Sequence, residues 1–237
     1  MIKIEYLFPE VTNLYGDLFN IKYLEKSIKD VEIINTSLTD IPYFANHDVD
    51  MIYMGSMSER AQEIVIEKLK PYKERIKELI EKNTVMLFTG NALEVLLNHI
   101  DEDDGRKVEA LGIIDAYAKI DLKHRYNTLF LGEIENMKIV GHKATFSFTY
   151  GDNTKTYAFK SIKGCGINKE SKFEGYRLNN LFATYLIGPL LVMNPEFTKY
   201  LISLLGLEPK IEFEELAMEC YYKRLNEFER DSTNYLQ

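Results

Sequence analysis

In the first hundred residues, short apolar runs alternate with longer segments in which apolar residues recur every three or four positions. The apolar runs predict strands at 2–8, 31–35, 49–54 and 84–88. The segments between them predict helices at 17–28 and from Ser58 onward, with Ser58 as N-cap and a break at Pro71. Because strands alternate with helices, we predict an α/β fold with a mostly parallel sheet flanked by helices.

The pattern changes after residue 108, where short alternating strands such as 128–133 and 144–149 predict antiparallel strands beside the parallel sheet. A further buried strand is predicted at 181–186, followed by a helix that Pro195 opens. The segment from 213 to 228 predicts an amphipathic C-terminal helix that packs on this domain or on a partner. Its apolar face is formed by Phe213, Leu216, Ala217, Cys220, Tyr221 and Phe228. With no internal repeat or linker, we expect one domain over 1–237, with a core at about 2–205 and a tail helix at 211–231.

A strand-to-helix turn is the most informative local feature, because an apolar strand runs into Thr89-Gly90-Asn91 and a predicted helix at 92–99. Enzymes use such a turn to expose a nucleophile in front of a helix N-terminus. The turn therefore predicts an exposed side chain at Thr89.

Composition narrows the function further. The formal net charge of −8 argues against a nucleic-acid partner, since phosphate binding needs a basic surface. No apolar run of about 18 residues predicts a membrane span, and the N-terminus resembles a first strand. Cys165 and Cys220 form neither a disulfide framework nor a metal motif. We expect a cytoplasmic protein without metal or cofactor.

Two longer segments carry a family resemblance: LFPEVTNLYGDLFNI at 7–21 and ATYLIGPLLVMNP at 183–195, with LGIID at 111–115 between them. They resemble the triad-type (class I) glutamine amidotransferases related to cobyric acid synthase. The closest resemblance is to the glutaminase subunit of lipid II isoglutaminyl synthases. The resemblance implies an amidotransferase fold, a glutamine-like small ligand and a Mur-ligase-like or synthetase partner that receives ammonia.

Residue by residue, the resemblance fails where the family has its chemistry. The family's Cys-Gly-Gly appears as Thr89-Gly90-Asn91, and its Tyr-Leu-His-Gly-Pro places Ile187 at the base position. The family's glutamine-holding arginine corresponds to Arg125, and the loop at Gly55 corresponds to its glycine-rich turn. A hydroxyl at Thr89 without a histidine base is a poor nucleophile. We therefore expect an intact turn with little or no glutaminase activity.

Three hypotheses follow. The first is a pseudo-amidotransferase that keeps binding but not hydrolysis. The second is an active amidase in which Thr89 works with a new base such as Glu94. His124, His142 and Cys165 are weaker candidates for rebuilt chemistry. The third is a non-catalytic interaction subunit, with its pocket filled by large side chains such as Phe148, Tyr150 and Ile187.

Overall fold

A computed structural model describes residues 1–235. The strands are, in chain order, β1 (Ile2–Leu7), β2 (Val31–Thr36), β3 (Met51–Met54), β4 (Val85–Thr89), β5 (His99–Asp101), β6 (Lys107–Glu109), β7 (Tyr117–Ile120), β8 (Tyr126–Ile134), β9 (Met137–Thr145), β10 (Ser147–Tyr150), β11 (Phe159–Lys163), β12 (Phe173–Glu174), β13 (Tyr176–Leu178) and β14 (Leu181–Thr184). The helices are α1 (Leu18–Ser27), α2 (Glu59–Leu69), α3 (Lys73–Glu81), α4 (Leu190–Met193), α5 (Pro195–Leu204) and α6 (Glu214–Glu229).

The central sheet has six strands in the order β13-β14-β4-β3-β1-β2. All neighbouring strands are parallel except β13, which pairs antiparallel with β14. The predicted α/β fold with a mostly parallel sheet is confirmed. Since parallel strands end at the same edge, the residues that follow β3, β4 and β14 lie together at the carboxyl edge of the sheet.

Two further four-stranded sheets contain the predicted antiparallel strands. One has the order β10-β7-β5-β6, in which β5 and β7 alone run parallel, and the other has the order β12-β11-β8-β9. An isolated bridge between His142 in β9 and Ile187 joins the second sheet to the segment after β14. This bridge brings an antiparallel sheet against the edge where the parallel strands end.

The hydrophobic core lies on both faces of the central sheet. In β4, Met86 and Phe88 belong to the cluster that packs against α2 and α3, whereas Val85 and Leu87 belong to the cluster beneath α1 and α5. Successive side chains of a strand alternate between faces, so a strand buried on both sides reads as a continuous apolar run.

The break predicted at Pro71 is confirmed, because a 3₁₀ turn at Lys70–Tyr72 separates α2 from α3. Ser58 caps α2, and its side chain accepts a hydrogen bond from the backbone N–H of Ala61. The helix predicted at 92–99 is present in part, as a 3₁₀ helix at Gly90–Leu96, and the chain then enters β5 at His99.

The C-terminal helix is present as α6, but its predicted apolar face is only partly correct. Tyr221 and Phe228 are buried, together with Leu225, whereas Phe213 and Leu216 are each at least 60% exposed. Tyr221, Leu225 and Phe228 are buried because they pack against Leu131 of β8 and Val140 of β9. No helix within residues 1–235 is long and apolar enough to cross a membrane.

Candidate functional site

A cavity of about 130 Å³ opens at the carboxyl edge of the central sheet. One wall is formed by the segments that follow β3, β4 and β14, which contribute Ser56, Gly90 and Ile187. Tyr15 and Phe146 also line the cavity. The fold therefore brings the two family-like segments to one cavity.

Gly90 occupies the tip of the turn after β4. Its backbone has φ +62°, which a residue without a Cβ adopts at little cost. A Cβ at this position would lie 2.5 Å from Cβ of Ser56 and 3.0 Å from Cγ2 of Ile187. A side chain at position 90 would therefore point toward the residue at the family's base position.

Thr89 does not expose its side chain, so the prediction of an exposed residue there is wrong. It is fully buried, and its hydroxyl donates a hydrogen bond of 2.9 Å to Oδ2 of Asp17. The Tyr53 hydroxyl lies 3.2 Å from the same oxygen of Thr89. The physical reason is strand alternation, because Thr89 shares the face of β4 that carries Val85 and Leu87 into the core.

Asp17 is the centre of a buried polar cluster that sequence reasoning did not identify. Its Oδ2 accepts hydrogen bonds from the backbone N–H of Ser56 at 2.7 Å, from the Ser56 hydroxyl at 2.8 Å and from Thr89. Oδ1 accepts no hydrogen bond of ordinary geometry from residues 1–235. Burial raises the pKa of Asp17 to about 6, although the hydrogen bonds from Ser56 and Thr89 act in the opposite direction.

Ile187, at the predicted base position, lines the cavity with an apolar side chain that is 2% exposed. Its backbone N–H donates to the carbonyl of His142 at 3.1 Å. The His142 ring is half-buried, and burial lowers its pKa, as does the charge of Arg224. His142 therefore contacts Ile187 through its backbone carbonyl, but it is not among the residues that line the cavity.

The predicted turn residues Gly55, Gly90 and Asn91 are brought together. Asn91 joins the two loops, since its Oδ1 accepts from the N–H of Met57 and its Nδ2 donates to the Met57 carbonyl, both at 2.9 Å. A Cβ at Gly55 would lie 2.2 Å from the carbonyl oxygen of Thr12, so this close approach requires glycine. The N–H of Gly90 donates to the carbonyl of Leu186 at 3.3 Å and is therefore already engaged.

Glu94, which was predicted as a possible base for Thr89, lies on the wall of the cavity. It is 1% exposed, and its carboxylate accepts hydrogen bonds from Gln62 Nε2 and the Tyr185 hydroxyl, both at 2.8 Å, and from the Ser147 hydroxyl. Burial raises its pKa. The residue in contact with Thr89 is Asp17, not Glu94, because the turn directs the two side chains to opposite sides of the sheet.

Arg125 lies just outside the cavity, in a neighbouring cleft of about 370 Å³. Its guanidinium donates to the Tyr15 hydroxyl and lies 5.2 Å from the centre of the Phe146 ring. Tyr15 and Phe146 line the inner cavity, so Arg125 is positioned at the cavity's edge. Phe148 and Tyr150 also line the neighbouring cleft, and of the large side chains that were predicted to fill the inner cavity only Ile187 lines it.

The remaining candidate residues lie elsewhere. His124 is exposed and its Nδ1 lies 2.8 Å from a carboxylate oxygen of Asp121. Cys165 is buried and Cys220 is exposed on α6, and neither lines the inner cavity. Within residues 1–235 there is no cluster of three or more side chains suited to hold a metal ion.

Comparison with solved structures places this architecture in a known class. The structure of PurLQS from Thermotoga maritima matches with a TM-score of 0.53 at 11% identity and covers 94% of this chain and 99% of its own. A crystal structure of a glutamine amidotransferase matches with a TM-score of 0.58, also at 11% identity, over 86% of this chain and 99% of its own. At these identities the likeness shows the fold alone, which is that of a glutamine amidotransferase.

The family follows from the sequence match. A family model described as a CobB/CobQ-like glutamine amidotransferase domain matches residues 3–195, so the chain belongs to this family. It is similar to the lipid II isoglutaminyl synthase (glutamine-hydrolyzing) subunit GatD of Staphylococcus aureus, at 28% identity, over 85% of this chain and 83% of the relative. The subunit GatD of Streptococcus pneumoniae is 29% identical over 85% of this chain and 79% of the relative.

Proposed function

We propose that this chain is an amidotransferase-type subunit that has lost glutamine hydrolysis and retains a binding role. The observation that carries the proposal is the pair of residues at the turn, where Gly90 faces Ile187 and neither supplies a nucleophile or a base. The predicted nucleophile position is Thr89, and we propose that it is Gly90 instead, because a side chain at position 90 would point toward Ile187.

The chemistry supports the same conclusion. Hydrolysis of an amide by this kind of fold needs a nucleophile, a group that moves protons and donors that stabilise the oxyanion. Loss of one member of a catalytic triad costs about 10³–10⁶ in rate, and further losses are not additive. Ile187 cannot move a proton, and the N–H of Gly90 is already bonded to the Leu186 carbonyl.

A retained binding role is supported by the cavity itself, which combines an apolar wall at Ile187 with polar groups from Glu94, Asn91 and Ser147. Arg125 at the edge is placed to meet the carboxylate of a glutamine-like ligand after leaving Tyr15. The names of the GatD relatives describe a subunit of a synthase, which supports a ligase-type partner for this chain.

The proposal is tested by measuring ammonia release from glutamine with the purified chain, alone and mixed with a ligase-type partner encoded by the same organism. We expect no turnover above the buffer rate in either case, together with co-elution of the two proteins. Turnover that rises in proportion to the concentration of the chain would overturn the loss of hydrolysis. A GatD subunit from one of the relatives serves as the active control.

The position of the lost nucleophile is tested with introduced thiols, in a Cys220→Ser background that leaves only the buried Cys165. Gly90→Cys is combined with Ser56→Gly, because Ser56 occupies the space that the new side chain needs. We expect iodoacetamide to label this thiol at least about tenfold faster than the thiol of Thr89→Cys, since labelling requires an accessible thiolate. Faster labelling of position 89 would return the nucleophile position to Thr89.

A second candidate function is favoured by one specific contact. Ser56 lines the cavity, and its hydroxyl donates a hydrogen bond to Asp17. The pKa of Asp17 is about 6, which is close to neutral pH, as the pKa of an effective general base should be. An amidase built on this pair would release ammonia or an amine from an unidentified amide, and Ser56→Ala would abolish that release. Equal activity of Ser56→Ala and the unaltered chain, or no activity in either, excludes this pair as the catalyst.

A further inference from the structure

The neighbouring cleft forms a second candidate site, separate from the inner cavity. We call it the outer cleft and define it by Lys119, Arg125, Tyr126, Phe148, Tyr150 and Lys169. In the antiparallel pair of β7 and β10, Phe148 lies opposite Lys119 and Tyr150 lies opposite Tyr117. Residues directly opposite in such a pair project from the same face, so the strands present rings and an ammonium group on one surface.

The cations of the outer cleft lack carboxylate partners. Among residues 1–235, no ion pair involves Lys119, Arg125 or Lys169. The cleft also contains Asp121, which is paired with His124, and Glu170. In a chain with a net charge of −8, three unpaired cations around one cleft form a local site for an anion.

Aromatic rings hold two of these cations in place. The guanidinium of Arg125 lies 5.2 Å from the centre of the Phe146 ring, and Nζ of Lys169 lies 5.5 Å from Tyr126 and 5.7 Å from Phe148. These distances are those of cation–π contacts, which orient a cation without neutralising its charge. The cations are therefore positioned and still available to an anionic ligand.

The size and lining of the cleft indicate the class of ligand. A volume of about 370 Å³ is within the range of small-molecule sites. Three cations exceed what one carboxylate can satisfy, whereas a phosphate offers more oxygens and more charge, and a guanidinium fork matches it. Tyr117 stacks on one face of Tyr150 and Lys169 lies over the Phe148 ring, while Tyr150 remains 38% exposed. A planar ring can therefore stack on the uncovered side of these rings.

We propose that the outer cleft binds a mononucleotide, with its phosphate at Lys119, Arg125 and Lys169 and its base against Phe148 and Tyr150. Arg125 also lies at the edge of the inner cavity, but Lys119, Lys169, Phe148 and Tyr150 line the outer cleft and not the inner cavity. Variants of Lys169 and Tyr150 therefore test the outer cleft without altering the inner cavity, and the two proposals can fail separately.

The test is calorimetric titration of the full chain with UMP and AMP. Uridine, ribose 5-phosphate and inorganic phosphate are titrated in parallel. We expect UMP to bind at least about tenfold more tightly than uridine or ribose 5-phosphate, because the base and the phosphate contact different walls of the cleft. Equal affinity for a nucleotide and for inorganic phosphate would reduce the site to a simple anion site and overturn the proposal. No binding of any probe would also overturn it.

Variants locate the site. Lys169→Gln removes one cation, and we expect it to weaken nucleotide binding about tenfold. Lys172→Gln is the matched control, because Lys172 is also exposed and lies outside the cleft. Tyr150→Leu removes an aromatic ring, and we expect it to weaken the binding of UMP without changing the affinity for ribose 5-phosphate. Equal effects of Lys169→Gln and Lys172→Gln would place binding elsewhere.

Discussion

At the scale of single residues, the polar groups beneath the turn are organised around a buried carboxylate. Asp17 holds the hydroxyls of Ser56 and Thr89 at 2.8 and 2.9 Å, on the far side of the turn from the cavity-facing Glu94. Because Gly90 has no side chain, the Cβ of Ser56 takes up the space in front of Ile187. The hydrogen bonds of Asp17 therefore connect the loop after β3 and the end of β4 to the start of α1.

Asp17 should make the stability of the protein depend on pH. Its pKa of about 6 in the folded state is above the ordinary value of 3.8, so the folded state binds the proton more tightly than the unfolded state. The resulting stabilisation is complete below about pH 4 and is lost as pH rises through about 6. It amounts to at most about 3 kcal/mol, at 1.36 kcal/mol for each tenfold difference in proton affinity.

The measurement is the free energy of unfolding in urea, followed by circular dichroism at about pH 4 and about pH 8. We expect Asp17→Asn to lose less stability between the two pH values than the unaltered chain, by about 1–3 kcal/mol. Glu5 and Glu94 have raised pKa values and are retained in both proteins, so their contribution cancels. An identical pH dependence in both proteins would contradict the raised pKa.

At the scale of elements, the tail helix is where the sequence predicted, but the face through which it packs was predicted only in part. The pattern predicted Phe213, Leu216 and Cys220 on the packed side together with Tyr221 and Phe228. In α6 only Tyr221 and Phe228 of these five are buried, and they pack toward β8 and β9 with Leu225, which was not predicted. A helix with apolar residues on more than one side has overlapping apolar faces. Periodicity alone therefore does not determine which of these faces is packed. Contact with Leu131 and Val140 decided the orientation.

Two leucines of α6 test this orientation. Leu225 is 9% exposed and Leu216 is 60% exposed. We expect Leu225→Ala to lower the free energy of unfolding by about 2–3 kcal/mol through lost burial and a residual cavity. Leu216→Ala, the matched control on the same helix, should change it by less than about 0.5 kcal/mol. Equal losses for the two variants would mean that the helix packs through the face predicted from sequence.

At the scale of the whole molecule, a buried ion pair joins the antiparallel strands to the central sheet. Nζ of Lys143 in β9 donates to Glu174 in β12, and both side chains are at most 2% exposed. Glu174 also accepts from the Thr184 hydroxyl at 2.9 Å and from the N–H of Tyr185 at 2.7 Å, at the end of β14. Since the two core clusters share the central sheet, we propose that the chain unfolds as one domain.

Removal of one partner of this pair should be more harmful than neutralisation of both. Lys143→Met leaves the Glu174 carboxylate buried without its cation, and we expect a loss of about 3–5 kcal/mol in the free energy of unfolding. The double variant Lys143→Met/Glu174→Gln should recover part of that loss. An additive double variant would argue against a coupled pair.

The exposed pair of Lys160 and Glu133 provides the control on the same sheet, because its nitrogen and oxygen are 3.5 Å apart and both side chains are solvated. We expect Lys160→Met to change the free energy of unfolding by less than about 1 kcal/mol.

The sequence by itself determined the parallel strands, the helix break at Pro71, the family and the absence of cysteine and histidine from the turn. These properties depend on residues that are close together in the chain, where periodicity, proline and short motifs act directly. The family resemblance of the sequence also predicted that Gly55, Gly90, Asn91 and Ile187 belong to one site.

Only the tertiary structure decided which way each side chain of the site points. Thr89 meets Asp17 across 72 residues of sequence, and Glu94 meets Tyr185 across 91. Such contacts follow from strand register and from the path of the loops, which local patterns do not encode. A shift of one residue reverses the face of a strand, so the side-chain directions at Thr89 and Gly90 differ although the two residues are neighbours in the chain.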